Sequence, residues 1–233
     1  MRGDRFDVIG FDADDTLWIS EDAFQHAEAM FAELVGPHAP DGIDVLDALH
    51  ATETDNIAVS GYGVKAFALS MVQAAVTATS GRVPATVVGQ LVDHAHDMLM
   101  QPVELLDGVP ETLAAVGGTH RMVLITKGDL VHQTRKIRTS GIEHHFEHVA
   151  VVLEKDPDTY RHTLLEWSID PARFLFVGNS VRSDVLPVLE VGGSGVHVPY
   201  HVTWAHEAVQ DHDRAFAELA SIRDLPVWLT ATD

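Results

Sequence analysis

The sequence predicts an α/β fold, a parallel sheet flanked by helices and interrupted by an all-helical insert, on the strength of three observations. Phe6-Asp7-Val8-Ile9-Gly10-Phe11 reads as a buried strand that stops abruptly at Asp12, Asp14, Asp15 and Thr16. From about residue 104 onward, apolar strand-like runs alternate with helical patterns. Between about residues 20 and 103, four helical patterns follow one another without a convincing strand. The expected division is an α/β core of residues 1–19 and 104–233 around a helical insert of residues 20–103, which a chain of 233 residues can accommodate.

Within the insert, Ser20 is placed to cap a first helix with Phe24, Ala27, Phe31, Leu34 and Val35 on one face, stopped by Gly36-Pro37. A second helix is expected from Asp41 to about Ile57. After Gly61-Tyr62-Gly63, the third carries an apolar stripe of Val64, Phe67, Ala68, Met71, Val72, Ala75 and Val76. Pro84 suits the first position of a fourth helix whose apolar face reads Val88, Leu91, Val92, Ala95 and Leu99, closed by Pro102. In the core, a helix near Val109–Val116 leads through Gly117-Gly118 to the strand Met122–Ile125, which ends in Thr126-Lys127-Gly128-Asp129. The next helix stops at Gly141, with Arg135, Lys136 and Arg138 in its last turns where cations complement the dipole. A strand Val149–Leu153 ends in Glu154-Lys155, and a helix follows from about Pro157 to Trp167. The strand Phe174–Val177 runs into Gly178-Asn179-Ser180-Val181-Arg182-Ser183-Asp184. A further helix tolerates Pro187 only in its first turn, a strand covers Gly195–Val198, and the remainder reads as a covering helix and tail.

Fifteen Lys and Arg stand against 35 Asp and Glu, a net charge of -20 that repels nucleic acid and anionic lipid over most of the surface. An anionic substrate must then be drawn by a local device such as a metal ion or a well-placed lysine. Cysteine is absent, which excludes disulfide and thiol chemistry and fits a reducing compartment. No apolar leader core precedes the acidic motif and no run of about 18 apolar residues occurs, so the expectation is a cytoplasmic protein without a membrane partner. Neither His144, His145 and His148 nor His197, His201 and His206 has a spacing that forces convergence on a metal; they read as surface or loop histidines.

The strands of a parallel sheet share one carboxyl edge, so Asp12, Asp14, Thr126, Lys155, Asn179 and Asp184 are expected together. That inventory holds a nucleophile, hydroxyl and amide donors, an ammonium and oxygen ligands for a hard cation, which is the equipment for phosphoryl transfer.

The set Asp12-x-Asp14-x-Thr16, Thr126, Lys155 and Gly178-Asn179-x4-Asp184, in this order and each after an apolar strand, resembles the haloacid dehalogenase-like hydrolase superfamily. The resemblance implies a Rossmann-like core with a helical cap between the first and second motifs. It further implies that Asp12 is the nucleophile forming an aspartyl-phosphate and that Asp14 is the acid and base for leaving group and water. By the same resemblance Mg²⁺ would bind through Asp12, the backbone carbonyl of Asp14 and Asp184, with Asn179 as a fourth candidate. Thr126 and the amides after it would hold phosphate oxygens, and Lys155 would offset charge in the transition state. Lys127 is a rival for the ammonium role and a further phosphate-binding candidate; Lys155 is preferred because it follows its own strand. The superfamily often has an acid where Asn179 stands, so the cation site has one charge fewer. Ser180 and Ser183 read as a turn residue and an N-cap. Asp14 favours a phosphatase over the halide-displacing branch, whose second motif position is not Asp. A phosphomutase or a phospho-accepting switch is the alternative; the switch reading needs an acceptor near Asp55, which lies in a helical region. The expected partner is a small phosphorylated metabolite. In the insert, Glu53 and Asp55 are expected near helix junctions, and Tyr62 and Lys65 are the candidates for reading the leaving group.

Overall fold

The computed structural model describes residues 1–202, 204, 207 and 213–232, so His206 of the sequence reading lies outside the described residues. Contacts divide the chain into two compact units, residues 1–21 with 103–233, and residues 22–102.

The first unit is built on a six-stranded parallel sheet in the order β3-β2-β1-β4-β5-β6, with β1 Val8–Phe11, β2 Arg121–Lys127, β3 His148–Val152, β4 Phe174–Gly178, β5 Ser194–His197 and β6 Ala217–Glu218. All four residues of β1 are buried, as a central parallel strand covered on both faces demands. Val8 pairs with Arg121 on one side and Phe174 on the other. Alternation sends Ile9 and Phe11 to one face, where they join Leu124, Leu175 and Val177 beneath α5 (Val109–Gly117), Ile137 of α6 (Leu130–Thr139) and α9 (Leu225–Thr230). Val8, Val123 and Phe176 go to the other face, beneath Tyr160 and Leu164 of α7 (Pro157–Glu166) and Val188 of α8 (Leu186–Glu190). Gly10 shares that second face, and a Cβ there would come within 2.6 Å of the Phe174 and Phe176 rings, so the missing side chain lets them cross β1.

The strands differ from expectation at their ends. The third runs His148–Val152 and leaves Leu153 exposed, and β5 starts and stops one residue earlier than predicted. The two-residue β6 carries no sequence signal of its own. Pro187 does sit in the first turn of α8, where its missing N–H is harmless.

The second unit consists of α1 (Glu21–Val35), α2 (Val45–Ser60), α3 (Val64–Ala78) and α4 (Ala85–Met100), around a core of Phe31, Leu49, Phe67, Met71 and Leu91. The expected faces of α3 and α4 need correction. Val76 and Val92 are exposed, whereas Ala74, Val87 and Met98 are buried. Pro84 is the N-cap of α4 rather than its first helical residue. Glu53 and Asp55 lie inside α2 rather than at a junction.

Candidate active site

The chain order reverses beside β1: β2 and β3 lie on one side of it, β4 and β5 on the other. Open α/β sheets bind ligands at such a switch point, outside the strands' carboxyl ends. Asp12 leaves β1 there, its amide still donating to Val177 of β4 at 2.9 Å.

Three lysines each meet a carboxylate at this edge. Lys155 Nζ bonds Asp12 Oδ1 and, at 2.7 Å, Asp184 Oδ1. All three residues are buried, with Lys155 also over the Phe176 ring. Burial pushes the Asp12 carboxyl up to about 7, with Asp184 adding to the rise and Lys155 opposing it. Burial opposes the Lys155 charge, but Asp12 and Asp184 outweigh it and raise the ammonium above its ordinary value.

Asp14 is held by a different set. Trp18 Nε1 donates to its Oδ1 at 2.6 Å, Gln133 Nε2 to its Oδ2 at 2.7 Å, and Lys136 Nζ to its Oδ1. Burial works to raise this carboxyl, but the Lys136 ammonium and these hydrogen bonds outweigh it and leave Asp14 below the ordinary carboxylate range. The same Gln133 amide donates to Thr126 Oγ1 at 2.9 Å, tying the end of β2 to Asp14. Its Oε1 is buried with no partner among the described residues. Asp15 sits in the left-handed region (φ 59°), and its carboxylate accepts from Ser20 and Glu21 amides, the work of a cap. Burial, reinforced by Asp14, pushes Asp15 up to about 6.

Lys127 takes a third direction, bonding Glu207 and Ser183 Oγ rather than Asp12. The ammonium that reaches Asp12 is therefore that of Lys155. Of the amides after Thr126, that of Gly128 is directed at Val152 O at 3.4 Å, across to β3.

After β4 the chain makes a π-helical turn, Val181–Val185, a departure from the ordinary helical register that recurs at functional sites. Ser180 Oγ accepts from Ser183 N at 3.0 Å, so the N-cap is Ser180 rather than Ser183, and Ser180 N donates to Asp184 Oδ2 at 2.9 Å. Tyr160 Oη donates to Ser183 O at 3.0 Å from the buried face of α7. A Cβ on Gly178 would lie 2.2 Å from Asp184 Oδ2, so only glycine leaves room for that carboxylate. His197 Nε2 lies 3.0 Å from Asn179 O and fixes the start of the turn from β5.

The oxygens suit a hard cation. With its amide nitrogen facing them, Asn179 lies 3.2 Å from each of Asp12 Oδ2, Asp14 O and Thr16 Oγ1, so three oxygens converge on one donor group. The Asp12 and Asp184 carboxylates and the Asp14 carbonyl are oxygen donors, the type that hard cations such as Mg²⁺ take as ligands. Among the described residues no cluster of three or more His, Cys, Asp or Glu side chains gathers for a metal. The His144 and His145 rings lie 4.1 Å apart.

The site residues that sequence reasoning missed include Trp18, Gln133, Lys136 and Glu207. Gln133 and Lys136 are three apart on α6, a spacing that puts them on one helix face just after the second strand end without saying what they reach. Glu207 offered no signal. Tyr62 is half-buried in the turn between α2 and α3, and Lys65 is exposed in the first turn of α3.

The family model of the haloacid dehalogenase-like hydrolases matches residues 6–192. A solved haloacid dehalogenase-like family hydrolase from Xanthomonas campestris is 38% identical, with a TM-score of 0.87 over 97% of this chain and 91% of that one. A predicted phosphoglycolate phosphatase from Haemophilus somnus is 18% identical, with a TM-score of 0.64 over 97% of this chain and 99% of that one. The L-2-haloacid dehalogenase of Xanthobacter autotrophicus with chloropropionic acid covalently bound is 15% identical, with a TM-score of 0.63 over 98% and 100%. At those identities the latter two share the fold. No curated protein matches the chain.

Proposed function

The chain belongs to the haloacid dehalogenase-like hydrolases, and from that premise we propose that it is a Mg²⁺-dependent phosphomonoester hydrolase acting on a small phosphorylated metabolite. The observation that carries the choice of phosphatase is Asp14, a second carboxylate two residues beyond the nucleophile and oriented by Trp18, Gln133 and Lys136. Displacing an alkoxide from phosphorus calls for a proton on the leaving oxygen, whereas halide leaves without one.

In this reading Asp12 attacks phosphorus, the bond to the ester oxygen breaks, and Asp14 protonates the departing alkoxide. Water then attacks the aspartyl-phosphate while Asp14 takes its proton, which releases phosphate and restores Asp12. Asp14 is held ionised before substrate arrives, and the negative charge of a bound phosphate beside it favours taking up the proton it donates. Thr126 is the proposed phosphate holder, Lys127 being engaged by Glu207 and Ser183, and Lys155 offsets charge on Asp12. Mg²⁺, held by Asp12, the Asp14 carbonyl and Asp184 with Asn179 beside them, supplies the positive charge that lets an anionic nucleophile approach an anionic phosphate. The helical unit, with Tyr62 and Lys65, is proposed as the cap that selects the leaving group.

A panel of phosphate esters assayed with Mg²⁺ tests the proposal directly. Phosphate release that disappears in Asp12→Asn is the expected result. Chloride release from 2-chloropropionate without phosphate release from any ester would overturn it, and a stable phospho-protein without turnover would make the chain a switch.

A further inference from the structure

Glu207 belongs to no motif, yet its carboxylate is among the most heavily bonded at the sheet's carboxyl edge. Its Oε2 accepts from Ser183 Oγ at 2.7 Å and from Ser180 Oγ, and its Oε1 accepts from Lys127 Nζ. The side chain is only 11% exposed. Burial works against its charge, but Lys127 and the two serines outweigh this and hold it below the ordinary carboxylate range. The bonds interlock: Ser183 Oγ accepts from Lys127 Nζ at 3.2 Å while donating to Glu207, Ser180 Oγ accepts from Ser183 N at 3.0 Å while donating to Glu207, and Lys127 Nζ also lies 3.7 Å from Glu154 Oε1.

The two serines it grips flank the cation candidates. Ser180 follows Asn179 and its amide donates to Asp184 Oδ2 at 2.9 Å; Ser183 precedes Asp184. The turn itself carries an amide at 179, so its only carboxylate is Asp184. Lys155 already bridges Asp12 and Asp184. A second ammonium released at this edge would compete with a divalent cation for the same oxygens.

We propose that Glu207 is a positioning residue for the cation-binding turn: it fixes Ser180 and Ser183 so that Asn179 and Asp184 face Asp12, and it keeps the Lys127 ammonium bound to itself and off those carboxylates. The inference rests on the Mg²⁺ reading above and adds to it a residue about twenty positions beyond the last motif.

Calorimetric titration of Mg²⁺ into the full chain tests it. Glu207→Gln, folded by circular dichroism and thermal midpoint, is expected to bind Mg²⁺ about 10- to 100-fold more weakly than wild type, the usual effect of losing an outer-shell partner. Adding Lys127→Met to Glu207→Gln is expected to recover part of that loss. Equal affinity in wild type and folded Glu207→Gln overturns the proposal, and so does a double variant no tighter than Glu207→Gln. A wild-type chain that takes up no Mg²⁺ overturns the reading on which it rests as well. Should Glu207→Gln not fold, Ser183→Ala removes one of the hydroxyls holding the carboxylate, and unchanged Mg²⁺ affinity there overturns the proposal in the same way.

Discussion

The Asp12 carboxyl shows how burial and chemistry pull on one residue. Its pKa is about 7 in the folded chain against about 3.9 when unfolded, so between those values the folded state binds the extra proton. Stability from this group is therefore present below that window and falls as pH rises through it. Asp15, pushed up to about 6, acts in the same direction over a narrower range. Urea denaturation in EDTA is expected to show Asp12→Asn gaining stability relative to wild type as pH goes from 5 to 8. The same substitution is expected to lower phosphate release by at least about 10³-fold, since it removes the proposed nucleophile. Lys155→Met leaves Asp12 and Asp184 buried without their cation, which costs about 3–5 kcal/mol in the same denaturation experiment. Asp12, Thr126, Lys155 and Asp184 could be picked out of the sequence because each stands at or beyond the end of an apolar run, and a parallel sheet delivers all such ends to one edge. Lys136 read as a dipole complement because it stands near a helix end, and nothing local says that a four-carbon stem reaches Asp14.

At the scale of elements, the site depends on how β4 turns into α8. The π-helical turn aims Asp184 back over Gly178, whose missing Cβ makes the space. Gly178→Ala is expected to push that carboxylate aside, costing about 1–3 kcal/mol of stability by overpacking and, because a misplacement of about 1 Å is felt in the chemistry, about 10²-fold in kcat. Denaturation and steady-state assays of the same preparation check both. Helix α6 carries the opposite wall, where Gln133 links Asp14 to Thr126. Lys136→Met is expected to lower kcat by about 10²-fold or more, the usual worth of a positioned acid or base. The kinds of element were legible from periodicity, but the phase of α3 and α4 was not. Val76 and Val92 are apolar yet exposed, and a stripe drawn through every valine rotates the face by one residue. The π-helical turn was hidden for a related reason, since one extra residue in a helical turn leaves the composition unchanged.

For the whole molecule, a charge of -20 opposes the approach of any phosphorylated substrate. At fixed free Mg²⁺, kcat/KM for a dianionic ester is expected to rise roughly twofold or more as ionic strength goes from about 0.01 to about 0.15 M, where the screening length falls from about 30 to about 8 Å. A neutral-salt titration of initial rates checks the sign. The α/β core and the helical insert were both readable, because strand and helix periods segregate along the chain. The sixth strand was not, because two residues carry no period at all. One further consequence lies in the place of β1. Its partners are Arg121–Leu124 and Phe174–Val177, on the far side of the insert in sequence. During synthesis the first strand emerges with both edges bare and must wait on the order of ten seconds for its first neighbour, while the local helical contacts of the insert can already form. The strand that bears the proposed nucleophile is thus the longest-exposed sticky edge on the ribosome, and a nascent chain stalled before Arg121 is where a chaperone would find it.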